Sequence, residues 1–91
     1  MSRRERRLLA ITDQLQSLEI EQRRLEDELA YHRSLADDAA RDAAVLDNPI
    51  ERENAAITAS DVRRFERRAE KLTDRRQKLE ARRAHLLEEL G

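Results

Sequence analysis

Asp47-Asn48-Pro49-Ile50-Glu51-Arg52-Glu53-Asn54 is the stretch of this sequence that an α-helix cannot cross unbroken. Proline lacks the N–H that a helix interior needs, and it pushes the residue before it out of the α region. Asn48, Pro49 and Glu51 also have the order of a new helix start: a capping side chain, a first-turn proline and a carboxylate reaching back. Thr58-Ala59-Ser60-Asp61 offers a second capping pattern. The second helix can therefore begin near 49 or near 59, and the pairing of the two helices takes a tip over 47–54 that could extend to 58, with helix 2 from about 55.

On either side of this break the apolar residues keep helical phase. Steps of three and four from Leu8 pass through Ile11, Leu15, Leu18, Gln22, Leu25, Leu29, His32, Ala36, Ala39, Ala43 and Leu46, and only Gln22 and His32 are polar. Beyond the break the path is Ala55, Thr58, Val62, Phe65, Ala69, Leu72, Arg76, Leu79, Arg83, Leu86 and Leu90, with Thr58, Arg76 and Arg83 as the exceptions. Heptad spacing held over this length is a coiled-coil signature. The expected fold is all-α: one two-helix antiparallel coiled-coil hairpin over 1–91, with helix 1 about 3–46 and helix 2 about 55–90.

Composition agrees. In these 91 residues 43% are charged, with one Phe, one Tyr and no Trp. Such a chain supports a narrow seam, not a thick core. No cysteine is present, which excludes disulfides and thiol chemistry. No apolar run can span a bilayer, and the basic N-terminus has no apolar segment behind it. A cytoplasmic location is expected, and a strong excess of arginine over lysine fits a GC-rich bacterial genome.

An eight-residue tip would place Ala39 opposite Val62, Ala36 opposite Phe65, Leu29 opposite Leu72, Leu15 opposite Leu86 and Ile11 opposite Leu90. The alternative register, one heptad away, sets Leu46 opposite Asn48 and leaves no room to turn. The favoured register pairs Glu21 with Arg82, Glu28 with Arg75 and Arg33 with Glu66. It opposes Asp42 to Asp61 and Glu19 to Glu80. Arg76 falls opposite Leu25, where its methylenes can lie on leucine while the guanidinium reaches water. Leu8 and Leu9 then project past the C-terminus, while Leu9, Ile20, Leu35 and Leu87 lie off the seam. These features lead us to expect a homodimer.

Catalytic chemistry finds little footing. His32 and His85 lie on different helices without metal-ligand spacing, and the single glycine is Gly91. No nucleophile is set beside a base. No enzyme activity, cofactor or metal is expected. Arg64, Arg68, Lys71, Arg75, Lys78 and Arg82 follow 4-3-4-3-4 spacing along one flank of helix 2. This flank reads first as a solvated face, and in the alternative as a phosphate-contacting one.

The tip carries the opposite sign. From Ser34 to Asp61 seven acids face two arginines, whereas Val62–Leu87 holds ten basic residues against four acidic. Acids gather at helix starts to match the dipole. That accounts for Glu51, Glu53 and Asp61 but leaves Asp37, Asp38 and Asp42. Asn48-Pro49-Ile50-Glu51-Arg52-Glu53 is similar to the tip pattern Asp-Pro-x-Asp-Arg-Ala of RNA polymerase secondary-channel factors, and the hairpin resembles those of the DksA/TraR and Gre families. Pro49 and Arg52 match, Asn48 and Glu51 are conservative departures, and Glu53 replaces the alanine. The resemblance implies insertion of an acidic tip toward the polymerase active site, with Glu51 and Asn48 as the tip residues. It covers the hairpin alone, without the four-cysteine zinc module or the globular Gre domain.

The function expected first is a non-catalytic protein–protein interaction module, a scaffold, adaptor or small regulatory subunit, contacting a protein partner through Asp47, Asn48, Pro49, Glu51 and Arg52 or the flanks. The alternative is a transcription regulator that binds RNA polymerase through the tip. Nucleic-acid binding by the basic flank comes after it, and no membrane association is expected.

Overall fold

A computed structural model describes Met1–Gly91. Two helices account for nearly all of it: α1, Arg3–Leu46, and α2, Pro49–Leu90, packed together as an all-α hairpin. No helix is long and apolar enough to cross a membrane. The start of α1 is a reciprocal cap that the heptad reading did not single out. Glu5 N–H donates to Ser2 Oγ at 3.1 Å and Ser2 N–H donates to Glu5 Oε1 at 3.2 Å. The Ser2 backbone N–H first, and after it the Ser2 hydroxyl, hold the Glu5 carboxyl below its ordinary range.

The break is shorter than expected. Only Asp47 and Asn48 lie outside the helices, and α2 begins at Pro49, the earlier of the two starts the sequence offers and not the start near 55 that the register favoured. Asp47 takes the left-handed backbone conformation (φ 42°), and its N–H donates to Ala43 O at 3.2 Å. That bond closes α1 as an αL cap, usually formed by glycine but open to aspartate and asparagine. Asn48 caps α2: its Oδ1 accepts from Glu51 N–H at 2.9 Å. The expected eight-residue tip rested on stacking seam residues in level layers, and one αL residue followed directly by a cap reverses the chain without that room. Thr58-Ala59-Ser60-Asp61 is helix interior, where Thr58 Oγ1 donates back to Asn54 O and Ala55 O.

Burial follows the two apolar paths. Leu18, Leu25, Leu29 and Ala39 on α1 and Leu86 on α2 are buried, and most other path residues are half-buried. Leu46, Arg83 and Leu90 are the exposed exceptions. The seam is thus as thin as the composition requires.

The chain divides into a terminal half, Met1–Arg23 with Glu70–Gly91, and a turn half, Arg24–Ala69. In the terminal half Arg76 Nη1 donates to Gln22 Oε1 at 3.0 Å, so Arg76 faces Gln22 and not Leu25. Its Nε is buried and bonded to nothing, and the 3.6 Å to Glu80 Oε1 is an electrostatic contact only. Arg4 Nε meets Glu89 Oε2 at 2.9 Å and Leu8 is half-buried, so the N-terminal overhang is shorter than expected. Glu21 and Arg82 form no ion pair, and Glu19 is taken up by Arg23 on its own helix.

In the turn half His32 stacks on Phe65 with ring centroids 4.3 Å apart, where Ala36 was expected. Arg33 Nη2 lies 3.8 Å from Glu66 Oε2, a pair the expected register also contained. In each half the observed partner is displaced from the expected one by three or four residues, about one helical turn. The seam residues therefore interleave midway between the two registers considered. Small side chains (Ala36, Ala39, Ala43, Ala55, Thr58) line the seam nearest the turn.

Candidate interaction surface

The turn residues chiefly serve one another. Asp47 Oδ1 accepts from Arg52 Nη1 at 2.8 Å across the turn, Asn48 is committed to its cap, and Pro49 fills the first position of α2. Glu51 is half-buried and donates its backbone N–H to the Asn48 cap. The acidic surplus of the region is also partly matched within α1 and α2, since Asp38 pairs with Arg41 and Asp61 with Arg64. Asp42 and Asp61, which the expected register opposed, thus have a neighbour that takes up one of the two charges.

The basic flank is divided between the halves. In the turn half Arg64 is held by Asp61 at 2.6 Å, and the Arg68 guanidinium sits 5.5 Å from the Phe65 ring centre. In the terminal half Lys71, Arg75, Lys78 and Arg82 are exposed and have no carboxylate within ion-pair distance. Arg82 and Arg75 do not make the expected pairs with Glu21 and Glu28, and all four cations lie on a solvated face. The turn half carries eleven acids against eight basic residues, and the terminal half nine against eleven.

Large apolar side chains left in water mark one side of the turn half. Arg33 and Glu66, each the residue after a seam position (His32, Phe65), meet across the seam. Rows that follow seam positions therefore share one side of the pair, and rows that precede them share the other. The following rows are Ala30, Arg33, Asp37, Ala40 and Ala44 on α1 with Arg52, Ala56, Ala59, Arg63 and Glu66 on α2, where nothing apolar exceeds alanine. The preceding rows are Glu28, Tyr31, Leu35, Asp38, Asp42 and Val45 on α1 with Ile50, Asn54, Ile57, Asp61, Arg64 and Arg68 on α2. These hold five large apolar residues at high exposure: Val45 81%, Ile50 76%, Tyr31 62%, Ile57 53% and Leu35 37%. Exposed Leu46 borders them at the end of the seam.

Tyr31 extends this face inward, edge-on to His32, which in turn stacks on Phe65. Of the five, only Leu35 stands out when residues are scored against the seam. Ile50 and Ile57 become legible on extending the 4-3-4 spacing of the basic row past Arg64 toward the turn. No cluster of three or more His, Cys, Asp or Glu is arranged to hold a metal. No family model, curated protein or solved structure matches this chain.

Proposed function

We propose that this chain is a non-catalytic protein–protein interaction module, a coiled-coil hairpin that offers one face of its turn half to protein. The observation that carries this reading is the one-sided placement of Tyr31, Leu35, Val45, Ile50 and Ile57, exposed together while the other side of the same two helices carries only alanine and charge. Large apolar side chains gathered at high exposure on one side of a protein are characteristic of contact sites. Acidic and basic side chains around it provide the polar rim of such an interface. The test is affinity capture from host extract with the wild type and with Ile57→Glu. Loss of captured protein in the variant supports the module. Equal recovery from both, or none from either with the untagged chain itself included, sinks it.

A second reading, polyanion contact in the terminal half, is supported by the exposure of Lys71, Arg75, Lys78 and Arg82 without carboxylate partners. Binding that weakens steeply between about 50 and about 200 mM salt would support it. Regulation of RNA polymerase through an acidic tip has less support, because Asp47 is bound to Arg52 and Glu51 is half-buried.

A further inference from the structure

We infer that the protein seated on the apolar face of the turn half is a second copy of this chain, packed face to face with both turns at the same end. This inference rests on the interaction-module reading and names its partner. The first argument is area. The face is roughly 30–35 Å long, from about 21–23 residues per helix at 1.5 Å each, and roughly 18–20 Å wide for two packed helices. Pairing two such faces buries on the order of 1,200–1,300 Å² in total, which reaches the range of specific, stable interfaces.

Charge then selects the orientation. Two two-fold arrangements bring the face against itself. With the turns at opposite ends, α1 lies on the partner's α1, and Glu28, Asp38 and Asp42 of one copy meet the same acids of the other. With the turns together, each α1 lies on the partner's α2, which sets Glu28 near Arg68 and takes Asp42 away from the partner's acids. The register seen at His32–Phe65 carries over to this contact because the two-fold axis runs parallel to the helices. Glu28 is then level with Arg68 to within two residues, and Tyr31 falls between Arg64 and Arg68. Val45 falls between Ile50 and Asn54. Each α1 residue of the row drops into a gap of the α2 row, and the isologous contact occurs twice. Asp38 beside Asp61 is the one like-charge contact, Asp61 already has Arg64 at 2.6 Å, and Ile57 falls between Asp38 and Asp42 of the partner.

The experiment uses the full chain. Sedimentation equilibrium is expected to show a dimer, with dissociation at least tenfold easier in Ile57→Glu and unchanged in Ala56→Glu, which alters the opposite side; circular dichroism verifies that both variants remain helical. The chain has no cysteine, so orientation is read by mixing Leu35→Cys with Arg64→Cys under mild oxidation. A mixed cross-link is expected. Efficient linkage of Leu35→Cys to itself, or a wild type that is monomeric at about 100 µM, overturns the proposal. A monomer that still captures another protein through Ile57 refutes the dimer and leaves the module reading standing. A dimer insensitive to Ile57→Glu refutes the assignment to this face.

Discussion

Replacing both members of the Gln22–Arg76 layer with leucine is expected to raise stability while removing the hydrogen bond that joins the two helices there. Gln22 and Arg76 are both half-buried, so each leucine gains about 1 kcal/mol, part of the 1.5–3 kcal/mol for full burial. Removing Arg76 Nε, buried with no acceptor, relieves about 1 kcal/mol more. Against this stands the 3.0 Å bond to Gln22 Oε1, a charge-assisted bond discounted to about 1–1.5 kcal/mol because the Arg76 side chain stays 44% exposed. The net gain is about 1.5 kcal/mol, or roughly 6–12 °C in Tm for a chain of this size. Urea and thermal unfolding of the wild type, the two single variants and the double variant complete a cycle. Gln22→Leu alone leaves the guanidinium without its acceptor and should lose about 1 kcal/mol, so the coupling should exceed about 0.5 kcal/mol. A double variant less stable than wild type, or a coupling of zero, would refute the view that this layer costs stability. If it is kept for register, as buried polar pairs are in some helical assemblies, the double variant should also show a second pairing in cysteine cross-linking across the seam.

Three further outcomes follow from the geometry. Leu18→Ala, at the most completely buried side chain (2% exposed), should cost about 2–5 kcal/mol in denaturant unfolding, whereas Leu46→Ala at the exposed end of the seam should cost less than about 0.5 kcal/mol. Asn48→Ala should lose about 0.5–2 kcal/mol through its cap to Glu51, while Asp47→Gly should be neutral or stabilising, because glycine adopts the left-handed conformation freely and the lost Arg52 pair is exposed. Glu5, with its carboxyl held below the ordinary 4.5, supports the first turn of α1 above that pH. The support is lost as pH falls through the lowered value, and amide exchange at Glu5–Arg7 should accelerate there in the wild type but show no such transition in Glu5→Gln.

Much of this architecture is written in periodicity. Leu18, Leu25, Leu29 and Ala39 are found by stepping three and four from Leu8, because a helix buries its stripe at that spacing whatever lies opposite. The register is not written there. It depends on how one stripe interleaves with the other, which is a property of the pair, and on a turn whose key residue is a left-handed aspartate. Glycine at position 47 would have announced that turn, and aspartate gives only a faint signal. Asn48, Pro49 and Glu51 did mark a helix start, but level stacking of the seam called for more loop. The acidic tip was legible as composition, while the Asp47–Arg52 bond that occupies it depends on the turn geometry. The apolar face was half visible: Leu35 fell off the seam, but Ile50 and Ile57 join it only when rows on two helices are assigned to one side.

The two-residue turn also bears on how the hairpin forms. Every bond that shapes it lies within Ala43–Arg52: the αL closure, the Asn48 cap, the Arg52 N–H to Asn48 O bond and the Asp47–Arg52 pair. A connection this short makes the first cross-helix contacts local in sequence, so ring closure opposes them with little lost entropy. Each further turn of α1 and α2 then meets a neighbour already held nearby. Folding should run as a zipper from Ala43 and Ala55 outward, fast and of low contact order, and Asp47 and Asn48 would act on the folding rate where Leu18 acts on the unfolding rate.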